Sequence, residues 1–208
     1  MWQRIRNQIY CFIIKFKHKE TIIFSKLIAK NIHINNHGKN NHIHIKEHCN
    51  INNCRFFLKG NNNSIEIHSL VRLSGVTFWV EDDNNRIIIG ENCTFEEGTQ
   101  LAACEGTEIF IGNDCMFSNN ISVRTTDSHS ILNSKGDRTN NAANIHIGNH
   151  IWIGLQALIL KGARIEDNCI IGARAVISSS TPNCTNSLIA GFPAKIIPID
   201  TSWCRERI

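Results

Sequence analysis

The chain has 208 residues, which suits one main domain, and its 42% hydrophobic and 19% charged residues are ordinary for a soluble protein rather than a disordered one. The formal net charge of +4 permits an acidic substrate or a membrane surface nearby, but it is too weak to indicate nucleic acid.

Residues 2–30 form the first distinct segment of the chain. Apolar residues occur in it at helical spacing, and seven basic residues accompany them with only one acidic residue, Glu20. The spacing predicts one or two helices that cap the domain, so residues 1–40 are assigned to an N-terminal helical and capping region. An alternative adds contact with an anionic membrane surface. No uncharged apolar run is long enough to span a bilayer.

Residues 31–64 are rich in histidine and asparagine. Such a tract permits metal binding, but His42 and His44 flank Ile43 in a strand pattern, so alternation directs both imidazoles to the outer face. The asparagines are typical of corners that require a positive φ. No metal site is predicted here.

A six-residue repeat of apolar residues dominates the rest of the chain. A period of six fits neither a helix nor a simple strand, and it predicts six three-sided coils between residues 41 and 199, with the repeat positions pointing inward. The repeat positions are 45, 51, 57, 67, 73, 79, 89, 95, 101, 111, 117, 123, 147, 153, 159, 165, 171 and 177.

Two departures from the bare repeat are informative. Polar residues rich in Asn, Asp or Gly are added at residues 59–64, 81–86 and 104–108, and their recurrence places them along one edge of a prism. About 18 further residues interrupt the repeat between Val123 and Ile147, which predicts a protruding loop at residues 126–146.

The cysteines fit the same pattern. Four of them each lie four residues after a repeat position, so they are predicted to fill the core as small apolar residues. These are Cys49, Cys93, Cys115 and Cys169. No C-x-x-C pair indicates a zinc ribbon, and lysines stand where a signal-peptide cleavage region would lie, so a reducing cytoplasm is the predicted compartment, extending to the inner face of the membrane if the basic segment binds there.

Three motifs carry a resemblance to a known family. The segments 126–130 (TDSHS), 147–154 (IGNHIWIG) and 191–195 (GFPAK) resemble the hexapeptide-repeat acyltransferases, and among them the bacterial saccharide and polysialic acid O-acetyltransferases. The resemblance covers residues 41–199 and implies a left-handed parallel β-helix of triangular section, followed by a short tail at residues 200–208. It also implies acetyl-CoA as the acetyl donor, a saccharide acceptor and a homotrimer with sites between subunits.

The resemblance assigns the catalytic residues. His129 matches the histidine that acts as general base, and imidazole suits this role because its ordinary pKa lies near neutrality. Asp127 is expected either to orient the His129 ring by a hydrogen bond or to form the turn before the loop. Trp152 precedes a repeat position and should point outward, beside the acyl group and the pantetheine arm; packing between subunits is its alternative role.

The resemblance also implies a groove for acetyl-CoA. Gly154, Ala173 and Ser178 are expected to face the pantetheine, and Lys195 is expected to meet a phosphate or the adenine end. Leu155 and Ser179 depart from the family pattern at positions that are often polar and basic. The acceptor sugar is not defined by the sequence.

Two other functions fit the same repeat. A γ-type carbonic anhydrase shares the prism, and His129, His146 and His150 are its candidate zinc ligands, although their spacing differs from that expected. A non-catalytic β-prism scaffold predicts neither acetyl-CoA binding nor a role for His129.

Overall fold

The computed structural model describes residues 2–197 and 202–207. One helix, α1 (Trp2–Lys17), precedes the strands. The first four coils contain β1 (Ile22–Phe24), β2 (Leu27–Lys30), β3 (His33–Asn36), β4 (His42–Ile45), β5 (Cys49–Asn52), β6 (Arg55–Lys59), β7 (Ser64–Ile67), β8 (Arg72–Ser74), β9 (Thr77–Glu81), β10 (Arg86–Ile89), β11 (Thr94–Phe95) and β12 (Gln100–Cys104). The later coils contain β13 (Glu108–Ile111), β14 (Met116–Phe117), β15 (Ser122–Arg124), β16 (Ile145–Ile147), β17 (Trp152–Ile153), β18 (Leu158–Leu160), β19 (Arg164–Ile165), β20 (Ile170–Ile171), β21 (Val176–Ile177), β22 (Leu188–Ala190) and β23 (Lys195–Ile197).

These strands form a parallel β-helix with three faces. Face A contains the first strand of each coil (β1 to β19), face B the second (β2 to β20, followed by β22 and β23), and face C the third (β3 to β21). Every pair of neighbouring strands is parallel except β22 and β23, which are antiparallel. The prism therefore has seven complete coils and the start of an eighth.

The prediction of six coils was too low, because residues 22–36 form a first coil and not a second helix. Ile22 and Leu27 point inward, whereas Ile23 and Ile28 point outward, as strand alternation requires. The corner in this coil is shorter: Phe24 and Ala29 are equivalent to Ile45 and Ile51 of the next coil. The six-residue repeat therefore does not reach it, and the β-helix begins before the predicted residue 41.

The corner between faces B and C is also one residue shorter in the second and third coils, and this changes the direction of two aromatic side chains. On face C, Phe56 pairs with Phe78 and both are buried, while Phe57 and Trp79 stack on the outside with ring centroids 4.3 Å apart. The expectation that residues 57 and 79 point inward was wrong. Phe78 comes five positions after Leu73 instead of six, and a shift of one residue reverses which side chains point inward.

The cysteine prediction is confirmed. Cys49, Cys93, Cys115 and Cys169 are fully buried, and none of the nine cysteines forms a disulfide. Burial raises the pKa of the Cys169 thiol to about 11. They occupy the core as small apolar side chains.

The residues added to the repeat lie along the edge between faces C and A, as predicted. A ladder of amides runs along this edge, in which the Asn63 backbone N–H donates to Asn41 Oδ1 (2.9 Å) and the Asn85 N–H donates to Asn63 Oδ1 (2.8 Å). The Thr107 N–H continues the ladder to Asn85 Oδ1. Buried amides are satisfied by one another here, so these extra residues stack as regularly as the strands.

Helix α1 caps the open end of the first coil. Asn7 bridges the backbone of β2, accepting from the Ala29 N–H (2.8 Å) and donating to the Leu27 carbonyl (2.9 Å). The Tyr10 hydroxyl accepts from the Ile32 N–H, and Ile14 is buried. The predicted cap is thus a single helix. No helix among the described residues has the length and apolar character needed to cross a membrane.

Candidate active site

The segment between β15 and β16 leaves the prism at the edge between faces C and A. It spans residues 125–144, is mostly exposed, and contains one antiparallel bridge between Leu132 and Arg138. This confirms the protruding loop that the interrupted repeat predicts.

An ion pair with a neighbouring coil anchors the loop. Arg138 donates to both carboxylate oxygens of Glu105, at 2.6 and 2.9 Å. Thr126 Oγ1 donates to the same carboxylate (2.5 Å). The hydrogen bonds from Arg138 and Thr126 lower the pKa of Glu105, so the carboxylate is ionised at neutral pH. Bidentate contacts of this kind fix orientation as well as position.

Asp127 lies at the start of the loop, but its carboxylate does not contact the His129 ring. Lys161 Nζ (2.5 Å) and Asn140 Nδ2 (2.8 Å) donate to Asp127 Oδ2, and they lower the pKa of Asp127 in that order. Asn140 Nδ2 also donates to the His129 carbonyl (2.8 Å). Asp127 therefore holds the backbone of His129 through Asn140, and the expected hydrogen bond to the ring is not present.

His129 is exposed two residues after Asp127. Ser128 between them has a positive φ of 67°, which turns the chain sharply, and its N–H donates to Thr126 Oγ1 (3.1 Å). The His129 ring forms no hydrogen bond or ion pair with the residues that the structure describes. Its nitrogens are free to meet a ligand from solvent.

Trp152 lies in β17 on face B and points outward with 39% of its surface exposed, as predicted. Its ring lies 6.4 Å from that of Trp203, tilted by 49°. Face B is opposite the edge that carries the loop, so Trp152 and His129 lie on different sides of one prism.

The described part of the tail, residues 202–207, folds against face B. Trp203 stacks on His150 (4.1 Å), donates from Nε1 to the His150 carbonyl (3.1 Å), and accepts from His150 Nε2 at its own carbonyl. Asp114 contacts both His150 Nδ1 (2.7 Å) and Arg205 Nε (2.6 Å). No local sequence pattern indicates this cluster, because its partners are 36 to 91 residues apart in the chain.

The cluster keeps Asp114 charged. Burial raises the pKa of Asp114, but the hydrogen bonds from Arg205 and His150 outweigh that effect, and the net pKa lies below its ordinary value. The Asp114 carboxylate is thus held between His150 and Arg205 on the same face as Trp152.

The predicted acetyl-CoA residues divide between two edges. Gly154 and Ala173 lie at the corner between faces B and C, and Lys195 pairs with Ala190 at the same corner. Ser178 follows β21 at the edge between faces C and A, where its hydroxyl lies 2.9 Å from that of Ser180. Packing alone explains why residue 154 is a glycine, because a Cβ there would lie 2.7 Å from the Ala173 nitrogen.

The chain therefore carries two separate groups of candidate residues. His129, Asp127 and Ser178 lie at the edge between faces C and A. The other group lies on face B and its corner with face C: Trp152, Gly154, Ala173 and Lys195. One chain does not bring the two groups together.

The remaining candidate histidines lie apart from His129. His146 stacks on Phe110 on the outside of face A (4.9 Å), and His150 belongs to the cluster with Trp203. No group of three or more His, Cys, Asp or Glu side chains with metal-binding geometry occurs among residues 2–197 and 202–207.

Known proteins resemble the chain in fold and in sequence. The polysialic acid O-acetyltransferase OatWY matches with a TM-score of 0.70 and 26% identity over 89% of this chain and 93% of its own, and the polySia-specific acetyltransferase NeuO with 0.65 and 23% over 85% and 83%. The "Putative lipopolysaccharide biosynthesis O-acetyl transferase WbbJ" of Escherichia coli K12 is 36% identical over 80 residues, covering 38% of this chain and 40% of that protein. The chain thus spans less than half the length of that curated relative. No protein-family model matches.

The coiled fold and these similarities together indicate the class of protein. The chain is a left-handed parallel β-helix, and in fold and sequence it is similar to the hexapeptide-repeat acetyltransferases. Its relatives in sequence and structure include O-acetyltransferases, among them OatWY and the galactoside O-acetyltransferase of Escherichia coli K12, which is 40% identical over 53 residues, covering 26% of this chain and 25% of that protein.

Proposed function

We propose that the protein is an acetyl-CoA-dependent O-acetyltransferase that acetylates a saccharide hydroxyl. The observation that carries this proposal is the exposed His129 ring at the start of the anchored loop. The carboxylate of Asp127 binds Lys161 and that of Glu105 binds Arg138, so neither is paired with the imidazole. OatWY and WbbJ support a bacterial capsule or lipopolysaccharide component as the acceptor, and a sialic acid polymer is one such acceptor.

The geometry suits direct transfer. His129 would take the proton from the acceptor hydroxyl as its oxygen attacks the thioester carbonyl, forming a C–O bond. The C–S bond then breaks, and the proton passes from the imidazolium to the departing thiolate, which leaves as the thiol of coenzyme A. An imidazole with no competing partner is free to act first as base and then as acid.

Asp127 would act as a positioning residue. Its hydrogen bonds reach Asn140, which in turn holds the His129 carbonyl, and Lys161, which fixes the carboxylate to the next coil. The loop backbone, rather than the imidazole, is what this network orients.

We further propose a homotrimer with the active site between subunits. In one chain His129 and Trp152 lie on different sides of the prism, so a site containing both needs a second copy. His129 and the loop would come from one subunit. Trp152, Gly154, Ala173 and Lys195 of its neighbour would contact the acyl group and the cofactor. Free thiols fit a cytoplasmic location.

The first test is thiol release from acetyl-CoA in the presence of neutral and sialic-acid-containing saccharides. Release should require an acceptor and should fall by about 10²–10⁴-fold in His129→Ala. His44→Ala is the matched control, because His44 is an exposed histidine on face A outside the site. Absence of both release and acetyl-CoA binding in the wild type would instead favour the scaffold.

The shared site has its own test. His129→Ala and Trp152→Ala subunits, each inactive alone, should regain part of the activity when they are mixed and allowed to exchange, because some interfaces then contain both wild-type residues. Subunit exchange is verified by differently tagged copies. Continued inactivity despite proven exchange would contradict a site built from two chains.

A further inference from the structure

Helix α1 packs on the prism with one side and exposes apolar residues on the opposite side. Asn7, Tyr10, Cys11 and Ile14 face the prism, at the spacing of one helical stripe. The opposite side carries large apolar residues that are 44–77% exposed: Ile5, Ile9, Phe12, Ile13 and Phe16. We call these five residues the outer apolar face.

This arrangement is unusual for a terminal cap. The end of a solenoid needs a polar outer surface, because nothing stacks on it. Here the outer apolar face is extended by Ile23 of β1, which is 57% exposed and lies with Phe12 and Phe16 around one shallow depression. Contiguous exposed apolar surface of this kind marks a binding surface.

Basic residues surround the outer apolar face. Arg6, Lys15, Lys17 and Lys19 are on or directly after the helix, and no acidic residue precedes Glu20 in the sequence. Lys15 Nζ lies 5.2 Å from the centre of the Phe24 ring, and Lys15 is exposed, so its charge lies directly beside the apolar surface. Lys17 and Lys19 are exposed and form no ion pair with the described residues.

We propose that this end of the prism binds an anionic lipid surface, with α1 lying in the plane of the interface. Apolar side chains would enter the boundary between headgroups and acyl chains, and the lysines would meet lipid phosphates. A second copy of the chain fits less well, since two such faces would bring like charges together. This inference does not depend on acetyl transfer.

The test is co-sedimentation of the full chain with vesicles. Wild-type protein should bind vesicles of equal parts phosphatidylcholine and phosphatidylglycerol at least tenfold more tightly than vesicles of phosphatidylcholine alone, and added salt should weaken the binding. Phe12→Ser with Phe16→Ser should lower binding to the anionic vesicles by at least tenfold. Lys17→Gln with Lys19→Gln should remove most of the preference for anionic lipid.

Leu70→Ser is the control for loss of an exposed apolar side chain, because Leu70 is 53% exposed on a distant corner, and it should bind like the wild type. Thermal melting checks that each variant is folded. Equal binding of the Phe12 and Phe16 variant would overturn the proposal. Failure of the wild type to bind the anionic vesicles would also overturn it, and self-association through the same two phenylalanines in sedimentation velocity would then assign the face to a second copy.

Discussion

The prism and the loop at residues 125–144 are held together by different forces. In the prism, side chains of successive coils stack in a core where most apolar residues are fully buried, as Phe95 and Phe117 do with centroids 4.2 Å apart. The loop has almost no core, and the ion pair of Glu105 with Arg138 and that of Asp127 with Lys161 attach it to the coils. Stability comes from repetition, whereas the candidate chemistry lies where the repeat is interrupted.

This difference predicts that the two regions can be damaged separately. Apolar burial scales with the area removed from water and fails cooperatively when one layer is lost. Partly exposed ion pairs contribute little free energy but define geometry. Substitutions in the prism should therefore change stability, and substitutions in the loop should change activity.

The largest effect is expected in the core. Phe95→Ala should lower the free energy of unfolding by about 3–5 kcal/mol, because it removes a buried ring and leaves a cavity beside Phe117. Denaturant unfolding measures this change. Ile131→Ala is the matched control in the loop, where the side chain is 59% exposed, and it should stay within about 0.5 kcal/mol of the wild type. Equal losses would remove the distinction between the two regions.

Loss of the loop anchor should separate activity from stability. Arg138→Ala should cost about 1 kcal/mol of global stability or less, yet it should lower activity about tenfold, since a displacement near 1 Å is enough for such losses. Amide hydrogen exchange in the loop should accelerate while that in the prism does not. Lys135→Ala is the control, because its exposed side chain forms no ion pair with the described residues; unchanged loop exchange in Arg138→Ala would contradict the anchor.

Asp127 and Lys161 should act as one unit. Asp127→Asn and Lys161→Met should each lower kcat several-fold without changing KM for acetyl-CoA, because they release the network that holds the His129 backbone. The double variant should be no worse than either single one, since both remove the same contact. Additive losses in a kinetic double-mutant cycle would show independent roles.

The smallest effect is on pH dependence. The pKa values of Glu105 and Asp127 are lowered by hydrogen bonds from Arg138 and Lys161, so a detached loop binds protons more readily than an attached one. Attachment is therefore complete above the ordinary carboxyl pKa of about 4 and is lost as pH falls through the lowered values. Protease sensitivity of the loop should rise below about pH 4. Glu105→Gln should flatten this rise; an unaltered pH profile would contradict it.

The sequence predicted the fold well wherever its repeat was regular. Coils two to seven, the C-to-A edge with its added residues, the protruding loop and the buried cysteines are confirmed. It failed at two kinds of corner that are one residue shorter. One is the corner between faces B and C before Phe57 and Trp79, which turn outward. The other is the corner between faces A and B of the first coil, where β1 to β3 lie in the region assigned to one or two capping helices. The spacing in the sequence shows the average period, but the loss of a single residue at a corner exchanges the inward-facing and outward-facing side chains of the next strand.

The candidate site was predicted only in part. The exposed Trp152 and the position of His129 at the start of the loop agree with the expectation, while their catalytic roles stay predictions. The contacts of Lys161 and Trp203 were missed because they join different coils or the tail, 34 and 53 residues apart. Asn140 was missed because its contact with Asp127 depends on how the loop folds back on itself.

The sequence by itself determined the coil, because each six-residue unit buries its own apolar position and repeats the same local geometry. Only the tertiary structure decided which polar side chains meet. Contacts such as Asp127 with Lys161, or His150 with Trp203, depend on how coils stack and where the tail returns, and no local pattern encodes a contact between residues 34 or 53 positions apart. The repeat is therefore visible in the sequence, whereas the site is formed by residues that only the stacking of the coils brings together.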